Sequence, residues 1–356
     1  MSAAATTRPA GRTSDAEAYD AYLRGLRALH ARTGPRELEE AVSWFERAVA
    51  RDSSFARAWA GLASAWTLMP DYGGRPAAVA IPEARRAVAR ALWLDSTSSE
   101  VLASRGYLLR SYDRDWPGAV AAFQHALGLD PNAATTWQWL GETLDAIGQY
   151  PQADSALARA AALDPVSPVV MLARGSHFLA AGDRARGRAE LGRALQLQPG
   201  FWPASVQLLL LDLAEGRMTS GRTLAEREGS ALPFGAELAR QIIVAKESGT
   251  SSPELAAALT ALRASGSLPV IVVASFHAIL GETVEALDAF GRGHTAQRAA
   301  RHTDPLVAGV GTSAPGGKVP RNAHTPQTST PALTGESQCA HLSASRPWLS
   351  SPRPEP

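Results

Sequence analysis

The sequence has almost no cysteine and almost no lysine. Cys339 is its only thiol, which excludes an intrachain disulfide and a cysteine-ligated zinc site. Lysine occurs only at Lys246 and Lys318, so the positive charge is carried by arginine, and with abundant Ala, Gly and Pro this bias fits a GC-rich bacterial genome. Neither sign of charge prevails: the formal net charge is +1, which gives no electrostatic reason to expect nucleic acid or an acidic membrane surface as a partner. No apolar run reaches the roughly 18 residues that a bilayer requires. The nearest, LPVIVVASFHAIL at 268–280, is interrupted by Ser275 and His277. The first residues, MSAAATTRPAGRTSDAEAYD, lack the apolar core of a secretory signal. The expectation is a soluble, cytoplasmic protein.

What the sequence does have is 45% hydrophobic residues and an internal period. Gly141, Gly148, Ala153, Leu157, Ala160 and Pro165 return 34 residues later as Gly175, Gly182, Gly187, Leu191, Ala194 and Pro199. Upstream, Gly106, Ala119, Phe123, Ala126 and Pro131 keep the pattern with one extra residue. Trp59, Leu62, Trp66, Ala84 and Ala91 keep it with a longer insertion, and Gly25, Ala41, Phe45 and Ala48 form the first copy. Two antiparallel helices approach closely only where small residues face each other. Gly141 and Ala153 supply such positions, while Trp137, Leu140, Leu144, Tyr150 and Leu157 fill the space beside them. Asp164-Pro165 ends the second helix, since proline is tolerated in a first helical turn and not inside one. Each hairpin leaves an apolar flank for the next to cover, so the units stack into a solenoid.

This pattern resembles the tetratricopeptide repeat, a helix–turn–helix unit of 34 residues. Repeats are expected over 17–53, 54–97, 98–131, 132–165 and 166–199, with a degenerate sixth from Phe201 to about Gly229 and a last unit at 268–296. Helix one is opened by the capping box Ser14-Asp-Ala-Glu17, and Ser251-Ser-Pro-Glu254 opens a later helix. The fold class is all-α, a right-handed solenoid of antiparallel hairpins over 14–300. Residues 1–13 are expected to be disordered, as is the Pro/Ser/Thr/Gly-rich tail 301–356, whose composition cannot offset its chain entropy. Tyr22-Leu-Arg-Gly25, the insertion after Trp66 and Tyr112-Asp-Arg-Asp-Trp116 are similar to one branch of the family. In that branch the array follows a bacterial serine/threonine kinase, winged-helix regulator or nucleotide cyclase. No such domain precedes residue 16 here, so the resemblance implies an input or scaffolding module and carries over no output activity.

The motifs that might signal chemistry have simpler readings. Gly309-Val-Gly311-Thr-Ser-Ala314 matches GxGxxA, but a dinucleotide fingerprint needs a strand before it and a helix after it, and Pro315-Gly-Gly follows. His294 and His302 could share a helix face, yet no third metal ligand stands near them. His125 and His177 read as groove or surface residues. No GxSxG elbow and no phosphate-binding GxxxxGK[ST] occurs. Trp59, Trp66 and Trp137 fall on large-residue core positions, whereas Trp139 is expected to be partly exposed. The insertion TLMPDYGGRPAAVAIP (67–82) reads as a lengthened loop between two helices, able to bind or simply to decorate.

The expected function is therefore non-catalytic, with no cofactor and no metal. A protein or peptide partner would bind in the concave groove, and nucleic acid and membrane are not expected as partners. The family resemblance places the groove on the first helix of each unit, and it nominates Tyr107, Arg110, Gln138, Glu142, Asp145, Leu172, Ser176 and Leu179. Leu172 and Leu179 would serve as an apolar anchor, and Glu142 and Asp145 would face a polar or basic portion of the partner. The cluster of Lys and Asn that clamps a peptide C-terminal carboxylate is missing from these positions. The alternative is a protein that binds a small ligand, or an enzyme, with its site built into the groove.

Overall fold

The computed structural model describes residues 13–288, apart from 32–33, 73, 266–267 and 269. The expected disordered termini, the GxGxxA motif, His294 and His302 lie outside the described residues, as does Phe290 of the last expected unit.

Among the described residues the chain is all helix, with no strand. Five hairpins come first: α1 (Ala16–Ala31) with α2 (Pro35–Arg51), α3 (Ala56–Leu68) with α4 (Ala77–Leu94), α5 (Ser99–Leu108) with α6 (Trp116–Leu129), α7 (Ala134–Ala146) with α8 (Tyr150–Leu163), and α9 (Pro168–Ala180) with α10 (Arg184–Leu197). A sixth pairs α11 (Trp202–Ala214) with α12 (Met218–Glu228), and α13 (Gly235–Ser248), α14 (Pro253–Ser265) and α15 (Val270–Leu280) follow. The small residues do what the repeat requires. A Cβ on Gly141 would lie 2.6 Å from the Leu157 side chain and 3.3 Å from the Ala153 carbonyl oxygen. At Gly106 the Phe123 ring would be 2.8 Å away, and at Gly175 Leu191 would be 2.7 Å away. Each glycine thus makes room for one large side chain of the second helix. The hairpin turn also repeats: Gly148, Gly182 and Gly216 hold φ of +78°, +84° and +70°, where a side chain would strain the backbone.

Curvature follows from which helices touch. The first helices of neighbouring hairpins pack directly on one another (α1 on α3, α3 on α5, α7 on α9), whereas the second helices make no comparable contact. The first helices therefore line the inner face.

Local details depart from the sequence expectations in four places. Helix α1 is capped by Asp15 and not by Ser14: the Glu17 and Ala18 amides both donate to Asp15 Oδ1 at 2.9 Å. The same carboxylate takes Arg51 of α2 at 2.8 Å, tying the hairpin's open end together. The insertion is shorter as a loop than its sequence reads. Met69–Tyr72 form one 3-10 turn, and Ala77–Pro82 already belong to α4. The helix continues through exposed Pro82 because Ala80, Ile81 and Ala84 bury the opposite face. The extra residue of the third repeat is housed as a π turn at Leu109–Asp113, closed by Arg114 in the left-handed region (φ 53°). Trp59 and Trp137 are only half-buried, each donating its indole N–H to the preceding loop (Ser53 O at 3.1 Å, Pro131 O at 2.9 Å), while Trp139 is buried.

Candidate partner-binding face

The inner face is a run of side-chain pairs that join each first helix to the next. Between α3 and α5, Ser64 Oγ and Ser104 Oγ lie 3.0 Å apart, and Arg57 pairs with Glu100 at 2.6 Å. Between the π turn and α7, Arg110 pairs with Glu142 at 2.9 Å. Glu142 also accepts from Gln138 Nε2 at 3.0 Å, and Tyr107 of α5 stacks on Trp139 of α7 with centroids 4.5 Å apart. Between α7 and α9, His177 Nδ1 meets Asp145 Oδ1 at 2.7 Å, and between α9 and α11, Ser176 bonds Gln207 at 2.9 Å. The period explains the regularity: inward positions recur every 34 residues, so each finds its neighbour in the next unit.

These pairs set what the nominated residues can do. Tyr107 and Gln138 are buried, and Arg110, Glu142, Asp145 and Ser176 are half-buried and engaged with other repeats. Leu172 is half-buried, one turn before Ser176, whose hydroxyl donates to the Leu172 carbonyl at 3.0 Å. Leu179 is not on the groove surface: only 3% exposed, it fills the hole left by Gly187 of its own hairpin, where a Cβ would approach it to 2.6 Å. It therefore cannot anchor a partner. His177 is buried rather than exposed, and of these two histidines only His125 is at the surface. Burial raises the Asp145 carboxyl above its ordinary range, an effect opposed by its hydrogen bond to His177.

Sequence reasoning missed the occupant of this face. The Met69–Tyr72 turn projects across it. Tyr72 meets Trp202 of α11 edge-on, with ring centroids 6.0 Å apart, although 130 residues separate them along the chain. Asp71 lies in the fields of Arg110, which attracts its charge, and Glu142, which opposes it. Asp71 is exposed, and desolvation by the surrounding protein, the largest influence on it, pushes its carboxyl up to about 6. Met69 is buried at the base of the turn. No sequence motif reports such a contact; the run of Pro70, Gly73 and Gly74 marks the turn but not its destination.

Among the described residues no group of three or more His, Cys, Asp or Glu is arranged to hold a metal ion. No described helix is long and apolar enough to cross a membrane.

Residues 112–174, from the π turn into α9, match the family model of the tetratricopeptide repeat. The hairpin of α7 and α8 lies wholly within that match. Solved structures are similar to the chain at low identity. Yeast Tom70 is 15% identical, with 85% of this chain and 68% of that one covered at a TM-score of 0.48. PilW, a type IV pilus biogenesis factor, is 17% identical, with 69% and 100% covered at 0.42. YrrB, described as a tetratricopeptide-repeat protein with an unusual peptide-binding site, is 22% identical, with 48% and 82% covered at 0.32. No curated protein sequence matches the chain. A tetratricopeptide-repeat solenoid is a fold of protein–protein interaction scaffolds.

Proposed function

We propose that this chain is a non-catalytic scaffold or input module of a bacterial signalling or regulatory system, acting in the cytoplasm. It holds a segment of a partner protein on its inner face. The observation that supports this reading is the continuity of that face from α5 to α11, where Arg110, Glu142, Ser176 and half-buried Leu172 combine charge, hydrogen bonding and apolar surface on one rigid support. With Leu179 committed to its hairpin, Leu172 carries the apolar part of recognition. Glu142 contributes less, because Arg110 already neutralises it. Affinity capture from the native host tests this directly. Leu172→Glu should deplete the captured partner more strongly than Glu142→Ala. Equal capture by both variants and the parent would place the interface elsewhere.

A further inference from the structure

The outer face, formed by the second helices, carries a pattern of its own. His125, Arg159, Arg193 and Arg227 stand 34 residues apart on α6, α8, α10 and α12, and Arg47 and Arg90 hold the same place on α2 and α4. The result is a ladder of six basic side chains, one per hairpin, of which all but half-buried Arg90 are exposed. A chain of net charge +1 thus concentrates one sign along one side. Among the described residues Arg47, Arg90, His125 and Arg159 form no ion pair, whereas Arg193 and Arg227 meet Glu190 at 3.3 Å and Glu228 at 2.8 Å. Arg47 and Arg90 lie over the Trp44 and Trp93 rings at 4.6 and 4.4 Å, and Arg159 reaches the Asn132 side-chain oxygen at 3.4 Å. The residues just before the four central rungs are Ala89, Gln124, Ala158 and Gly192, none of them acidic. Asp95 and Asp130, which end two of these helices, turn to their own loops and accept the Thr97 and Asn132 amides, each at 3.0 Å.

Beside the ladder runs an apolar row of the same period. Leu94, Leu129, Leu163 and Leu197 lie four residues beyond the central rungs and so on the same side of each helix, with Leu129 and Leu197 exposed. Hollows mark the ladder's two ends. One of about 500 Å³ opens beside Arg47 and Trp44, where Glu17 and Asp20 are already paired with Arg51 and Arg24. The other, of about 490 Å³, opens beside Arg227, Gly192 and Gln196.

We propose that the outer face is a second docking surface, which takes an acidic, extended segment of a partner protein. Charge complementarity to the unpaired rungs selects carboxylates. Successive rungs stand one hairpin apart, on the order of 10 Å as for packed helices, and an extended chain covers that distance in about three residues. Carboxylates at every third position therefore meet successive rungs, while apolar side chains between them cover the leucine row. A nucleic-acid backbone would bring phosphates to the rungs but nothing apolar to the leucines.

The test uses the full chain and a fluorescein-labelled peptide of four Glu-Leu-Pro repeats, in which proline keeps the backbone extended. Fluorescence anisotropy should show saturable binding that weakens as salt is raised. Arg90→Gln with Arg159→Gln should weaken it roughly fivefold. Arg36→Gln with Arg240→Gln removes the same charge away from the ladder and should change it by less than about twofold. A peptide of Gln-Leu-Pro repeats should not bind. Should the ladder variant lose helical content by circular dichroism, Arg159→Gln alone serves, with a loss of roughly twofold. No saturable binding to the parent, equal losses in the two double variants, or tighter binding of a twelve-nucleotide single-stranded DNA overturns the proposal. Leu172→Glu, on the inner face, should leave peptide binding unchanged; a loss there would place the peptide in the groove and overturn the second surface as well.

Discussion

Tyr72 and Trp202 form an aromatic cross-brace between the second and sixth hairpins. A solenoid repeat ordinarily contacts only its neighbours, and its stability is close to a sum of unit and interface terms. An edge-on contact at 6.0 Å couples two units that three others separate. A double-mutant cycle of Tyr72→Ala and Trp202→Ala in urea should give a coupling of about 0.5–1.5 kcal/mol. Strictly additive losses would mean that the rings merely lie near one another.

Glycines at different places in the repeat should respond oppositely to substitution. Gly141→Leu places a branched side chain where even a Cβ would meet Leu157 at 2.6 Å, and overpacking of this kind costs about 1–3 kcal/mol. Gly192 lies inside α10 with nothing within 4 Å of its absent Cβ. Gly192→Ala should therefore stabilise the protein by about 0.5–1 kcal/mol, through helix propensity alone. Thermal melts of the two variants shifting in the same direction would contradict this assignment of the hairpin interface.

The contrast shows what was legible in the sequence. Gly141, Ala153 and Leu157 are close in the chain and recur with the period, so hairpin packing could be read directly. The one extra residue between Gly106 and Ala119 also left its mark, and the helix absorbs it as the π turn that carries Arg110. Leu179 was misplaced because a family position in the first helix says nothing about the partner helix. Gly187 opens a hole there, and Leu179 turns into it. Trp139 was misjudged for a related reason: Tyr107, in the previous repeat, provides the surface that covers it. The turn on the inner face was beyond reach, since local pattern carries no record of a contact made across several units.

Two histidines that look alike in sequence should behave differently. His177 is buried and joins α9 to Asp145 of α7 at 2.7 Å, whereas His125 is exposed on α6. His177→Ala would leave the half-buried Asp145 carboxyl without its partner and should cost about 1–3 kcal/mol. His125→Ala should fall within about 0.5 kcal/mol of the parent. Chemical denaturation at neutral pH measures both, and equal losses would contradict the role of the Asp145–His177 pair between repeats.

Asp71 should make stability depend on pH in a direction that most carboxylates do not. Desolvation by the surrounding protein is the dominant influence and raises its pKa from 3.8 to about 6; Arg110 opposes that rise and Glu142 adds to it. The folded protein therefore holds a proton on Asp71 that the unfolded chain has released. The resulting stability is fully present below about 3.8 and is lost as pH rises through about 6. Solvent contact at Asp71 screens and reduces the size of the effect but not its sign. Asp145, also raised by burial, adds a slope of the same sign, so the difference between parent and variant isolates Asp71. Asp71→Asn keeps the shape and removes the charge. The variant should melt higher than the parent at pH 7.5, and the gap should narrow as pH falls from 6.5 to 4.5. Melting curves that stay parallel across that interval would show that Asp71 titrates as an ordinary surface carboxylate, and the turn would then lie outside the groove.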